Sequence, residues 1–176
     1  MIESVSFLGD GVAGFTQVGV LIKISEICNY KNFVNQIKEI NGCSMGSIIG
    51  LLFSIGLDPK EMLRIIKNTF DFKNVFNPDI KNIFNGNGFD NGDTLSKYVK
   101  NILERTCGNG DITFEEHYNK YNNLYTVLVF NLTKVKFEYM NNINTPSMKI
   151  VDAIRMSTSI PLLFTSILYN DDEYID

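Results

Sequence analysis

The feature that most constrains this chain is the pentapeptide Gly42-Cys43-Ser44-Met45-Gly46. A short apolar run, Ile37 to Ile40, leads to it through Asn41-Gly42, and a strongly apolar stretch from Gly46 to Leu57 follows. A G-x-S-x-G in that setting reads as strand, sharp turn and helix. The serine then sits at the turn with its hydroxyl exposed at a helix N-terminus, the arrangement called a nucleophile elbow. The flanking glycines let the backbone segments approach closely. A chance match is the competing reading, and the strand–turn–helix context weighs against it.

A second glycine cluster, Gly9-Asp10-Gly11-Val12-Ala13-Gly14, follows the apolar run Val5 to Leu8 and precedes the apolar stretch Phe15 to Cys28. Backbone N–H groups of such a loop can cradle negative charge. In one reading Gly11 and Val12 donate to the oxyanion of a tetrahedral intermediate. In another the literal G-x-G-x-x-G is a dinucleotide fingerprint, which wants an acidic residue ~20 positions on. Residues 29 to 37 hold no Asp or Glu, which weakens that reading. A plain glycine-rich turn is the third.

Elsewhere the periodicity predicts a helix over 15–28 and another opened by Asp58 as N-cap with Pro59 in its first turn, running to about Phe70. It predicts further helices over 94–105 and from about Ser147 to Ser157. Asn123 to Thr133 reads as a strand with Val135 to Tyr139 as its hairpin partner, and Ile167-Leu168 and Tyr174-Ile175 as the last two strands. Residues 71 to 92 read as a long loop or cap. Around that segment lie Phe70, Phe72, Phe76, Phe84 and Phe89, which either face a lipid surface or pack under the loop into the core. Alternating helices and strands imply an α/β fold, a three-layer α/β/α sandwich around a mainly parallel sheet. No linker or internal repeat divides it, so residues 1–176 are expected to form a single domain.

With 44% apolar residues the chain can bury a core, and a net charge of −4 argues against a nucleic-acid binder. Cys28, Cys43 and Cys107 are odd in number and lack metal-ligand spacing, which fits a reduced, cytoplasmic compartment. No signal peptide opens the chain, and no apolar run reaches the ~20 residues of a membrane span.

One count sharpens the chemistry. His117 is the only histidine, and its setting, Phe114-Glu115-Glu116-His117-Tyr118, reads as an exposed helix or loop. If Ser44 is a nucleophile, a carboxylate must activate it, which requires hydrogen-bond reach and enough shielding to raise its pKa. The chain closes on Asp171-Asp172-Glu173-Tyr174-Ile175-Asp176, which by itself reads as a solvated acidic tail.

Taken in order, a strand, a glycine loop, a helix, G-x-S-x-G and a late Asp ending a short strand resemble the patatin-like phospholipase domain. The likeness extends to Asp93 and Leu95 opening a helix, to Ile112-Thr113-Phe114-Glu115-Glu116, to Val127 through Thr133, and to Ala153 through Pro161 with Phe164. The resemblance implies a Ser–Asp dyad with Ser44 as nucleophile and Asp176 as base. It implies an elbow of Gly42, Met45 and Gly46, and an oxyanion loop framed by Gly9, Gly11 and Gly14. The implied reaction is hydrolysis of an acyl ester of a phospholipid or related lipid through an acyl-enzyme, without metal or cofactor. Contact with a membrane surface from one side follows as an expectation. Asp10 and Ala13 stand where the family's loop carries a third glycine and a basic residue. The family's Asp is followed by Gly and then Gly or Ala, whereas this chain stops at Asp176. The domain is therefore expected to be truncated at its C-terminal end and weakly active. An inactive lipid- or partner-binding module and, further off, a dinucleotide-binding protein are the alternatives.

Overall fold

The computed structural model describes residues 2–69, 76–79, 81–82 and 88–176. In chain order the elements are β1 (Ser4–Phe7), a 3-10 turn (Gly11–Gly14), α1 (Phe15–Ile27), α2 (Tyr30–Gln36), β2 (Glu39–Cys43), α3 (Met45–Ser54), α4 (Pro59–Thr69), β3 (Gly88–Asp90), α5 (Asp93–Cys107), α6 (Phe114–Tyr121), β4 (Leu124–Asn131), β5 (Lys136–Met140), α7 (Ile150–Ser157), β6 (Leu162–Phe164), β7 (Ile167–Tyr169) and β8 (Asp172–Ile175). This is a mixed α/β fold built on a central sheet, consistent with the three-layer sandwich expected from the sequence.

β1, β2 and β4 are parallel neighbours, and antiparallel β5, β7 and β8 complete the sheet. Leu128 pairs with both Cys43 and Tyr139, so β2 and β5 flank β4 on opposite edges. Phe130 pairs with both Phe137 and Ile175, so β8 shares the β2 edge and continues it from the other direction. β2 and β8 thus point at each other along one edge of β4.

Parallel pairing puts Phe7, Ile40, Tyr125 and Val127 on the face covered by α3, and all are buried. All ten residues of α3 are buried. A helix apolar on every side belongs in the interior, and burying each of Ile48, Ile49, Leu52 and Phe53 contributes about 1.5–3 kcal/mol. The Tyr125 hydroxyl donates to the Ser47 carbonyl at 2.6 Å, so its polar end is satisfied. α4 starts as expected: the Asp58 carboxylate accepts from Lys60 N–H at 2.9 Å.

Several expectations need correction. β2 lies two residues later than predicted, because Ile37 ends α2 and only Glu39 onward pairs. α7 begins at Ile150, not Ser147, because Lys149 first bridges Thr113. The long segment before α5 contains β3, which pairs with the unpredicted β6. Within it Phe76 stacks edge-on against Phe164 at 5.9 Å, and Phe89 is exposed. Phe70, Phe72 and Phe84 lie outside the described residues.

Candidate active site

β2 passes into α3 through one residue, Ser44. Its φ of 49° and ψ of −128° lie in a region that a residue with a Cβ rarely occupies, at a cost on the order of 1–3 kcal/mol. The surroundings hold it there. The Ser44 carbonyl accepts from the Ser47 N–H at 2.9 Å and from the Ser47 hydroxyl at 2.6 Å. The Ser44 N–H donates to Ser157 Oγ at 2.8 Å, and that hydroxyl donates to the Leu128 carbonyl at 2.6 Å. The glycines of the pentapeptide are packing residues. A Cβ on Gly42 would lie 2.5 Å from Ser47 Cα, and one on Gly46 2.3 Å from the Phe7 carbonyl oxygen. Without them α3 could not cross β2 and β1 so closely.

Sheet register brings Asp176 to this turn. Cys43 is opposite Leu128 and Ile175 is opposite Phe130. One step further along each strand, Ser44 and Asp176 both arrive level with Val129. Ser44 Oγ donates to Asp176 Oδ2 at 2.6 Å. Asp176 Oδ1 faces Cys43 Sγ at 3.9 Å, and the Asp176 N–H donates to the Ser159 carbonyl at 3.1 Å. Burial raises the Asp176 carboxyl above its ordinary value, and hydrogen bonds from Ser44 and Cys43 oppose that rise. Burial, then the Asp176 charge, raises the Cys43 thiol. A carboxylate so placed can accept the hydroxyl proton of Ser44.

The glycine loop packs against the elbow. A Cβ on Gly9 would lie 2.8 Å from Ser44 Cβ, and one on Gly14 3.0 Å from Met45 Cγ. Gly11 has φ 49°, and Asp10 is exposed. Gln17 fastens the loop's start, accepting from Leu8 N–H at 3.0 Å and donating to the Leu8 carbonyl at 2.9 Å. An apolar groove of about 340 Å³, lined in part by Leu8, Cys43, Leu128 and Tyr139, begins beside the elbow.

His117 does not join them, and its expected exposure is wrong. It is 1% exposed in α6, with Nε2 2.8 Å from Ser54 Oγ. Ser54 ends α3 and Ser44 precedes it, about 15 Å apart along the axis. Burial lowers the His117 pKa to about 4. Thr113 and Glu116 form the capping box that starts α6, and Phe114 and His117 share its buried face. Both signals stood in the sequence, as T-x-x-E and as an i, i+3 spacing.

The sequence reading also assigned no role to Ser157, Ser159 or Arg155, though they lie in a segment it singled out. Arg155 is 5% exposed and donates to Ser159 Oγ at 2.6 Å and to the carbonyls of Asn91 and Thr165 at 2.9 and 3.1 Å. It ties the turn after α7 to β3 and β6. Burial lowers its pKa to about 10.

Residues 5–176 match the family model described as patatin-like phospholipase. The chain belongs to that family. Among relatives, it is 30% identical over 148 residues to the probable lipid hydrolase 463L of Invertebrate iridescent virus 6, covering 81% of this chain and 50% of that protein. The chain thus spans about half the length of this relative. Of solved structures, VipD from Legionella pneumophila superposes with a TM-score of 0.74 at 15% identity, over 99% of this chain and 45% of that one. Full-length ExoU in complex with SpcU, from the type III secretion system of Pseudomonas aeruginosa, gives 0.60 at 16% identity, over 91% of this chain and 38% of that one. At such identities these structures speak for the fold alone. Among the described residues of this patatin-like chain, no helix is long and apolar enough to cross a membrane.

Proposed function

We propose that the chain is a lipid acyl hydrolase working through Ser44 and Asp176. Ser44 Oγ attacks the ester carbonyl while Asp176 takes its proton. The tetrahedral intermediate collapses, the alcohol leaves with that proton, and the acyl group stays on Ser44. Water, deprotonated by Asp176, then attacks the acyl carbon, the bond to Ser44 Oγ breaks, the acid leaves, and Asp176 returns the proton to Ser44. Backbone N–H groups of the Gly9–Gly14 loop, with Gly11 and Val12 as donors, stabilise the oxyanion. The observation that carries this reading is the 2.6 Å hydrogen bond between a strained, glycine-flanked serine and a partly buried carboxylate. Family membership and a relative named as a probable lipid hydrolase support an acyl-ester lipid as substrate. The apolar groove beside Cys43 suits an acyl chain better than a charged substrate. A phospholipid surface approached from one side is the corresponding partner.

The second reading, an inactive lipid- or partner-binding module, is favoured by Asp10, an exposed carboxylate in the loop where the family pattern has a glycine. A fluorophosphonate probe separates the two. Labelling that disappears in Ser44→Ala, with hydrolysis of a short-chain ester, supports the enzyme. A folded parent protein that takes no label supports the binding module.

A further inference from the structure

Ser157 touches neither the substrate's expected position nor Asp176, yet it holds the backbone on which the dyad depends. Ser44 is strained, and a strained residue persists only where neighbours over-determine it. Its carbonyl is fixed from within α3 by Ser47. Its N–H has no such local partner. It reaches instead across the fold and ends on Ser157 Oγ at 2.8 Å. The Ser157 hydroxyl has one proton, which goes to the Leu128 carbonyl at 2.6 Å. That assignment leaves the Ser157 oxygen lone pairs free to accept from the Ser44 N–H, with the Cys43 thiol also within hydrogen-bond reach of the same hydroxyl. Ser157 is 0% exposed and Ser44 6%, so the bond between them is shielded from bulk water.

We infer that Ser157 is a positioning residue for Ser44, a relay from β4 to the elbow that holds the Ser44 backbone in the rotation aiming Oγ at Asp176. The inference rests on the dyad reading for its catalytic consequence, but the hold itself is independent of it. The location of Leu128 explains why this relay matters. Leu128 is the β4 residue opposite Cys43, one step before the level at which Ser44 and Asp176 meet. Ser157 therefore refers the turn to the strand that also sets the register of β8. The same turn after α7 holds the other partner, since the Ser159 carbonyl accepts the Asp176 N–H and Arg155 fixes the Ser159 side chain. Two residues apart across the C-terminal end of α7, Ser157 and Ser159 hold the two sides of a 2.6 Å contact.

The relation predicts a loss in turnover more than in binding. In Ser157→Ala the elbow N–H and the Leu128 carbonyl lose their partners, the elbow relaxes, and a displacement of about 1 Å at a reacting group costs up to roughly 100-fold. We expect kcat for a soluble short-chain ester to fall about 10- to 100-fold with KM within about threefold, and fluorophosphonate labelling of Ser44 to slow in parallel. Ser157→Cys, nearly the same size but a weaker donor and acceptor, should fall between parent and Ala, and it guards against an Ala variant that fails to fold. Amide hydrogen exchange at Ser44 gives a readout that needs no activity: protected in the parent, faster in Cys, fastest in Ala. A variant set that loses thermal stability while kcat and Ser44 exchange stay at parent values overturns the inference and leaves Ser157 a packing residue. A parent protein without Ser44-dependent hydrolysis sinks the dyad reading instead, and the exchange series then still decides whether Ser157 holds the elbow.

Discussion

Helix α3 has a serine at each end, and each is hydrogen-bonded to a titratable side chain: Ser44 to Asp176 at 2.6 Å, Ser54 to His117 at 2.8 Å. By residue type alone, the serine–histidine pair is the better nucleophile and base. The surroundings reverse that order. Ser54 sits at an ordinary helix end, 2% exposed, and its hydroxyl already donates to the Leu51 carbonyl at 2.7 Å. Burial depresses the His117 imidazole, and among the described residues no carboxylate is hydrogen-bonded to it to orient it or stabilise its cation. Ser44 stands at a strained turn beneath a glycine loop, beside an open groove. On the proposed mechanism, backbone strain and what lies above the serine mark Ser44 as the nucleophile more than the chemical rank of its partner does.

The sharpest way to break this contrast is to remove the hydroxyls one at a time. Ser44→Ala should lower ester hydrolysis by several orders of magnitude without unfolding. Ser54→Ala should keep turnover within a few-fold and cost about 1–3 kcal/mol of stability by leaving buried partners unmade. Parallel assays of turnover and chemical denaturation check both, and an inactive, folded Ser54→Ala would invert the assignment.

Next in size is the base. Asp176→Asn keeps the shape but cannot take a proton, and kcat should fall about 10²- to 10⁴-fold. His117→Gln should leave kcat nearly unchanged. A thousandfold loss in the folded Gln variant would return the histidine to the mechanism.

pH sharpens the comparison, because the two ends carry opposite signs. His117 has a folded pKa of about 4 against an ordinary 6.5. Its contribution is present above pH 6.5 and is lost as pH falls towards 4, by up to roughly 3 kcal/mol. Asp176 is raised, so its contribution is present below its ordinary 3.8 and is lost as pH rises through its folded value. Activity moves the other way, falling as acid protonates the base. Cys43→Ala removes a donor that lowers the Asp176 pKa, so the acid limb of the kcat/KM profile should shift to higher pH. Denaturation midpoints from pH 4 to 7 in the parent and in His117→Gln test the first statement, and pH–rate profiles with and without Cys43 test the last.

The smallest effect concerns the lipid surface. Phe89 is 43% exposed on β3. Phe89→Asn should weaken vesicle binding a few-fold while sparing a soluble ester, as co-sedimentation and a parallel esterase assay would show. Unchanged sedimentation would remove Phe89 from any membrane contact.

The strand–elbow–helix unit was legible because G-x-S-x-G carries its own geometry: both glycines mark backbone crossings and the apolar run after them is a fully buried helix. The partner of Ser44 was legible only through family resemblance. Asp176 reaches it across 132 residues of sequence through β-sheet register, which no local pattern encodes. α2 was missed because seven residues with two asparagines score poorly as a helix. Its cap at Asn29 and the packing of Tyr30 and Phe33 on Phe53 stabilise it through tertiary contact. His117 was misread because its neighbours Glu115 and Glu116 were weighed as a charged surface, while the helical spacing from Phe114 puts the histidine on the opposite side.

On the proposed mechanism, the end-to-end meeting of β2 and β8 makes hydrolysis a reporter of topology. β1, β2 and α3 are neighbours in sequence and can assemble from nearby contacts, whereas the Ser44–Asp176 contact closes a loop of 132 residues. Such closures come late, because their entropy is spent before any contact rewards it. A partly folded chain can therefore hold a complete elbow and still lack its proton acceptor. Regain of esterase signal during refolding should trail the regain of helical structure, and the delay between them would time the docking of β8 beside β4.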